Sequence, residues 1–302
     1  MKITGFILTM IIITMPLFAD KVDSSAGEYG FQLLKVDIGA DNVSKGSAVS
    51  AQAGDASIMW YNPAATNFSD RSNVHFTHNE WIFDTRIEHI SLMVNKGKYS
   101  LGGGITYLNY GKIDRRNSQG NLIGEFNPTD IIGNINFSLR TLPNLYCGVN
   151  VKGLFEKIHI ETSYGMAVDL GIIYRTMLNG LNLSAVVQNL GTTSKMAKEK
   201  IDLPIAYKFG VGYQLPFSFL NLHIATDVIK YVDDDNAKVN CGLQYVFQDK
   251  VFTRIGYKFN YDEENITAGL GFKINCYHFD YAYVPFQSDI GATHRFSLSY
   301  DF

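Results

Sequence analysis

From residue 73 to its end the chain repeats one pattern, about ten residues of alternating apolar and polar side chains followed by a turn signal. Successive side chains of a strand point to opposite faces, so a period of two marks strands with one apolar and one polar side. The predicted strands cover residues 73–83, 86–94, 101–110, 131–139, 145–155, 164–174, 181–190, 205–215, 220–229, 238–247, 251–259, 266–274, 277–284 and 293–302. That is about fourteen, an even number as single-chain bacterial barrels require. In the last of them Phe296, Leu298, Tyr300 and Phe302 share one face, and Arg295, Ser297, Ser299 and Asp301 share the other. A terminal strand of this kind leaves a sticky edge unless it pairs with the first strand and closes a ring.

The faces carry their own orientation. A charge on the lipid side at the membrane midplane costs ~2–4 kcal/mol, so each charged position reports the inner side. Lys152, Glu156, Asp169, Lys208, Gln214, Arg254, Lys258, Lys273, Asp280 and Arg295 are therefore expected to line the lumen. Turns alternate in length: 95–98, 141–144, 177–180, 215–218 and 248–250 are tight, whereas 111–127, 191–202, 231–236 and 285–292 are longer. Short periplasmic turns and long extracellular loops give this alternation when both termini are periplasmic. Tyr213, Tyr245, Tyr277 and Tyr300 fall near one end of their strands, Tyr207, Phe259 and Tyr283 near the other, with Val211, Ile255, Leu270 and Leu298 between. Aromatic girdles around an aliphatic belt are the mark of a membrane barrel.

A soluble pair of β-sandwiches also alternates. Three features decide against it: the turn alternation, the terminal Phe302 and the N-terminus. Lys2, an apolar run over 3–18 and the end Leu17-Phe18-Ala19 read as a secretory signal peptide over residues 1–19. No later stretch reaches the ~18 consecutive apolar residues of a spanning helix. The expected fold is thus all-β, a transmembrane antiparallel barrel over 71–302, in the bacterial outer membrane. Residues 20–70 differ: after a polar leader, 27–69 is rich in Gly, Ala and Ser without sustained alternation. Asp55 is placed to cap a short helix over 56–61, and Asn62-Pro63 to make a turn or a new helix start. Forty residues without strands are too many for an ordinary loop, so the segment is either functional or packed inside something.

Composition narrows the rest. Charged residues are 18%, below the usual share of roughly 25%. The chain holds 18 Tyr, 20 Phe and 27 Gly, a balance that favours strands. A net charge of −3 offers nucleic acid no footprint. Three cysteines, Cys147, Cys241 and Cys276, cannot make a full disulfide set. No catalytic motif appears: Gly102-Gly103-Gly104 lacks the third spaced glycine of a dinucleotide loop, and reads as a smooth strand wall. His294 near Asp289, His223 near Asp227 and His278 near Asp280 read as inward or loop polar residues rather than acid–base pairs. Asp233-Asp234-Asp235-Asn236 and Asp262-Glu263-Glu264 read as solvated loop tips rather than cation sites. No enzyme activity, metal or cofactor is expected.

The segments Ile38-Gly39-Ala40, Ala53-Gly54-Asp55-Ala56 and above all Trp60-Tyr61-Asn62-Pro63-Ala64 resemble the N-terminal region of the PorV/PorQ family, within the FadL-like superfamily of outer-membrane barrels. Gly148-Val149-Asn150-Val151-Lys152, Val168-Asp169-Leu170-Gly171, Gln188-Asn189-Leu190-Gly191, Leu203-Pro204 and Arg254-Ile255-Gly256-Tyr257-Lys258 extend the likeness over nearly the whole mature chain. The resemblance implies a fourteen-stranded barrel whose N-terminal segment folds into the lumen as a plug, with Asp55, Trp60, Tyr61, Asn62, Pro63 and Ala64 as its motif. It implies passage or delivery of hydrophobic molecules such as fatty acids. An accessory or docking role in type IX protein secretion, like that of PorV, is the alternative, and a purely structural role the third. Implied partners are outer-membrane lipid, the assembly machinery that reads Phe296, Leu298, Tyr300 and Phe302, and a hydrophobic ligand or secretion-system proteins. Two departures stand out. Loop 111–127 is polar, with Asp114, Arg115 and Arg116, where the transporters carry long apolar loops. Lys45 and Ser47 stand where the family favours Met-Gly-Gly-like residues.

Overall fold

The computed structural model describes residues 29–196, 199–216, 221–288 and 290–302; the expected signal peptide lies outside them. The strands are β1 (Asn73–Glu80), β2 (Arg86–Asn95), β3 (Tyr99–Asn109), β4 (Ile113–Arg116), β5 (Leu122–Phe126), β6 (Thr129–Leu142), β7 (Leu145–Ile158), β8 (Glu161–Arg175) and β9 (Leu181–Thr193). They continue with β10 (Lys195–Met196), β11 (Glu199–Lys200), β12 (Ala206–Gln214), β13 (Leu222–Tyr231), β14 (Lys238–Phe247), β15 (Val251–Phe259), β16 (Ile266–Ile274), β17 (Tyr277–Pro285) and β18 (Ala292–Asp301). Fourteen of these close into one antiparallel barrel, while β4–β5 and β10–β11 form separate two-stranded ribbons. Closure is made by β1 against β18, in a register running from Asn73 opposite Asp301 to Glu80 opposite His294.

Burial is inverted relative to a soluble protein. Ile135 is 72% exposed in the middle of β6 and Phe209 is 64% exposed on β12, while His75, Ser138, Asn150 and Ser299 are buried on inner faces. Such a surface is stable only in hydrocarbon, where the closed ladder leaves no backbone group unpaired. Phe296, Leu298 and Tyr300 face outward, and Tyr300 lies 5.0 Å from the Tyr277 ring on the next strand. We expect Ile135→Lys to lower barrel stability in lipid vesicles by about 2–4 kcal/mol, measured by urea unfolding, whereas an equal stability of both proteins would place that face elsewhere.

Some strand limits differ from the pattern. β1 stops at Glu80, because Phe83 turns into the left-handed region (φ 53°) in a short 3₁₀ turn, Ile82–Asp84. β7 and β8 run past the predicted ends and meet in a tight turn at His159-Ile160, with His159 left-handed at φ 57°. The alternation of short and long connections therefore lapses at this hairpin. The polar loop 111–127 is the β4–β5 ribbon, with a bulge between Arg115 and Arg116. Cys147, Cys241 and Cys276 are free, Cys276 exposed in the turn between β16 and β17.

Candidate functional site

The lumen is filled by the chain that precedes β1. At the end of the barrel with the longer loops, Tyr29 forms a parallel bridge with Asp202. Lys35 there meets Asp233 at 2.5 Å. The segment then crosses the lumen and leaves at the short-turn end, where the Asn67 side chain donates to the Gly97 carbonyl at 3.0 Å. Between these points lie 3₁₀ turns at Gln32–Lys35 and Ala56–Trp60 and two single-turn helices, α1 (Ala40–Val43) and α2 (Ala65–Phe68). Asp55 caps the second 3₁₀ turn by accepting from the Ser57 backbone at 2.9 Å.

The Trp60-Tyr61-Asn62-Pro63-Ala64 run ties this irregular backbone together. The Trp60 indole donates to the Val36 carbonyl at 3.0 Å. The Tyr61 hydroxyl donates to the Ile38 carbonyl at 2.8 Å and accepts from the Ile38 N–H at 2.9 Å. The Asn62 amide donates to the Ser50 carbonyl at 2.7 Å, and its oxygen accepts from the Ala64 N–H at 2.9 Å. Wall residues hold the far side of the motif: Asn136 donates to the Pro63 carbonyl and Ser138 to that of Ala64. A segment without ladder bonds must satisfy its buried backbone in this way.

Glycines let the two backbones touch. A Cβ at Gly256 would stand 2.0 Å from the Gly46 nitrogen, and one at Gly148 would stand 2.3 Å from the Pro63 carbonyl carbon. Opposite, in the long-loop half, the inner wall is apolar: Ile87, Leu108, Ile132, Leu154 and Ala167 pack with Phe31, Leu33 and Leu34.

Charged side chains on the barrel strands fall into three groups. Lys258 holds Asp37 of the luminal segment at 2.7 Å and pairs with Glu264, while Arg295 donates to the Asp37 carbonyl at 2.6 Å. Lys152 pairs with Asp169 at 2.8 Å and sits over the Trp60 ring, Lys208 sits over Tyr61, and Glu156 accepts from the Phe31 N–H. Arg254 pairs with Asp280 at 2.5 Å. Lys273 and Gln214 belong to the inner register but stand at the open mouth, Gln214 exposed.

Three partners were not apparent from the sequence. Asp37 is one; burial alone would raise its carboxyl, but Lys258 outweighs that and holds it below the usual range. His75 is the second: it stands 2.8 Å from Asp55, and again overrides burial to keep the Asp55 carboxyl far below its ordinary value. The third is Asp227, which accepts from the backbone of Val49 and Ser50 and from the Ser50 hydroxyl. The hydrogen bonds of these histidines go to other groups: His223 bonds Asn221, His278 bonds Asp301, and His294 bonds Tyr281. Asp289 lies outside the described residues. The acidic loop tips are engaged by lysine, as with Asp234 and Lys238 at 2.9 Å.

A cavity of about 750 Å³ lies at the short-turn end between the luminal segment and the inner faces of β8, β9 and β12–β18. Its lining is mixed: Arg175, Asn182, Gln214, Gln244 and Lys273 on the barrel side and Asp41, Lys45 and Gln52 on the luminal side are polar, and Phe68, Val246 and Phe252 are apolar.

With this geometry in hand, the relatives are informative. A family model described as type IX secretion system membrane protein PorP/SprF matches residues 88–300, more than two thirds of the chain. A second model, for an uncharacterised protein family (UPF0164), matches residues 19–140. No curated protein sequence matches significantly. Among solved structures, the toluene transporter TbuX of Ralstonia pickettii superposes with a TM-score of 0.62 at 13% identity, covering 88% of this chain and 98% of that one. The toluene transporter TodX of Pseudomonas putida gives 0.64 at 11% identity, covering 87% and 97%. A FadL homologue of Pseudomonas aeruginosa gives 0.53 at 11% identity, covering 84% and 96%. At such identities the likeness is one of fold: a FadL-like barrel.

Proposed function

The chain belongs to the type IX secretion system membrane protein family PorP/SprF, and on that premise we propose that it is a closed outer-membrane barrel that docks cargo or other secretion components. The observation that carries this is the occupied lumen: from Phe31 to Phe68 almost every residue is buried against the wall. Residues 31–69 act as the plug, with Asp55 and Trp60 to Ala64 as its knot and Lys152, Lys258 and Arg295 as its fastenings. The short-turn end, where β1 begins and Phe302 ends, faces the periplasm, and the outward row Phe296, Leu298, Tyr300, Phe302 is what the assembly machinery reads. The Trp60–Ala64 run supports a closer kinship with the PorV/PorQ branch. No chemistry is performed in this reading. Cross-linking in native membranes followed by purification should recover the chain in a large assembly of secretion proteins; recovery as a lone barrel would sink the proposal.

A second reading, passage of hydrophobic molecules, is favoured by the apolar inner wall at Ile87, Leu108, Ile132 and Leu154. It requires Phe31, Leu33 and Leu34 to move aside. Liposomes carrying the intact chain should then take up a labelled fatty acid more slowly than liposomes carrying a variant that lacks residues 31–36, and equal rates would exclude this route.

A further inference from the structure

The cavity at the short-turn end has a lining that selects among ligands. Following the ring from β9 through β12 and the start of β13 to β14, the wall carries Asn182, Gln214, Asn221 and Gln244. Asn221 also bonds Asp249 and His223, and the Gln244 oxygen accepts from Arg254, which leaves the Gln244 amide N–H groups free among the described residues. Strands lie ~4.8 Å apart, so this arc of amides is about 14 Å long, the span of roughly four extended residues. The Asn182 and Gln214 side chains have no hydrogen-bond partner among the described residues, and neither do those of Gln52 and Asn179 on the same cavity. Cations flank the arc, whereas the carboxylates that line the same cavity are engaged, Asp41 by Lys45, Asp55 by His75, Asp249 by Asn221 and Asp280 by Arg254. Beyond β9, Arg175 on β8 rests on the rings of Phe68 and Tyr146 with no acidic partner among the described residues. Beyond β14, Lys273 on β16 reaches only Asp301, at 4.0 Å.

We propose that this vestibule binds an extended, acidic polypeptide segment, its backbone along the amide arc and its carboxylates at Arg175 and Lys273. Each peptide unit offers one N–H and one carbonyl, and a primary amide supplies both complements. An acyl chain would meet Phe68, Val246 and Phe252, but burying it there would also strip water from the unpaired amides of Asn182 and Gln214. A glycan would stack on an open aromatic face, but Phe252 is covered by the Arg254 guanidinium at 5.1 Å and Phe68 by Arg175 at 5.1 Å. The proposal names the partner class for the docking reading and rests on that reading only for where the peptide comes from.

The test uses the full chain in lipid nanodiscs and fluorescence anisotropy. Its probes are a labelled flexible decapeptide of aspartate, serine and glycine, the same peptide with lysine for aspartate, and labelled chitotetraose. The acidic peptide should bind saturably and the other two should not. Arg175→Ala with Lys273→Ala should weaken it on the order of tenfold or more, the loss of two charge-assisted contacts. Gln214→Trp, which fills the mouth, should abolish it, and Ile123→Ser in the ribbon at the opposite end should leave it unchanged. Gel mobility with and without boiling checks that each variant is a closed barrel; should the double variant misfold, Gln214→Trp decides alone. Equal binding of the lysine peptide, binding of the sugar instead, or indifference to the cavity variants overturns the proposal. Binding with no secretion assembly found in native membranes would instead leave the site standing and remove the docking role.

Discussion

Valine in place of Gly256 is expected to unseat the luminal segment while leaving the ring of strands intact. The new Cβ would stand 2.0 Å from the Gly46 nitrogen and 2.4 Å from the Lys45 carbonyl carbon, both main-chain atoms that no rotamer change can move. Gly46 cannot retreat either, since it is held at φ +62° and donates to Thr267 at 3.0 Å. Outer faces and ladder bonds of β15 are untouched, and valine suits a strand. Overpacking of this kind costs about 1–3 kcal/mol or more, borne where the two backbones meet. Lys45, 4% exposed in the native barrel, reports the outcome. Trypsin should cut the variant after Lys45 within minutes and spare the wild type, while the gel shift on boiling persists in both. A variant resistant at Lys45 would mean that the seat yields without release.

Replacing Lys258 by methionine should produce the largest loss of stability and change its response to pH. Lys258 is 2% exposed and lies between Asp37 and Glu264. Removing the cation leaves two carboxylates in the lumen without their main partner, a cost of about 3–5 kcal/mol. In the native protein the Asp37 carboxyl is depressed: burial pushes it up, and Lys258 more than offsets that. A depressed carboxyl contributes stability above its unfolded value of about 3.9 and loses it as the pH falls through the folded value, so this group weakens the wild type only below about pH 4 and leaves it level between about pH 5 and 8. In Lys258→Met burial is opposed on Asp37 only by the more distant Lys208 and the Ser47 hydroxyl. Its ionisation then destabilises the fold, and the variant should be more stable at pH 5 than at pH 8. Urea midpoints at both pH values measure this, and parallel shifts of the two proteins would refute it.

The wall was largely legible because lipid on one side and a polar interior on the other impose a period of two. The alternation of Ile255, Tyr257 and Phe259 with Arg254, Gly256 and Lys258 could be read without any structure. Strand ends were less legible: Glu156 to Glu161 still alternates, and only the left-handed backbone at His159 marks where β7 turns into β8. The contents of the lumen were hardest. The segment from Phe31 to Phe68 has no period, so nothing local tells Asp37 from any other loop aspartate, and its partner Lys258 lies 221 positions away. His75 and Asp227 were on strands with the right parity, but their contacts depend on which turn of the segment passes each strand. The motif Trp60 to Ala64 stood out through its residues alone, and its hydrogen bonds to Val36, Ile38 and Ser50 give the reason.

The course of the luminal segment bears on how the molecule comes to exist. Its start at Tyr29 and its exit before Asn73 lie at opposite rims, and every strand enclosing it is synthesised later. Either the sheet curls around a strand of polypeptide already lying across it, or that strand is drawn through a finished hoop. Glycine-lined contacts as tight as those at Gly148 and Gly256 leave no clearance for drawing through. The β1–β18 seam, where the first strand of the ring meets the last, is accordingly expected to close after the filler has settled on the sheet.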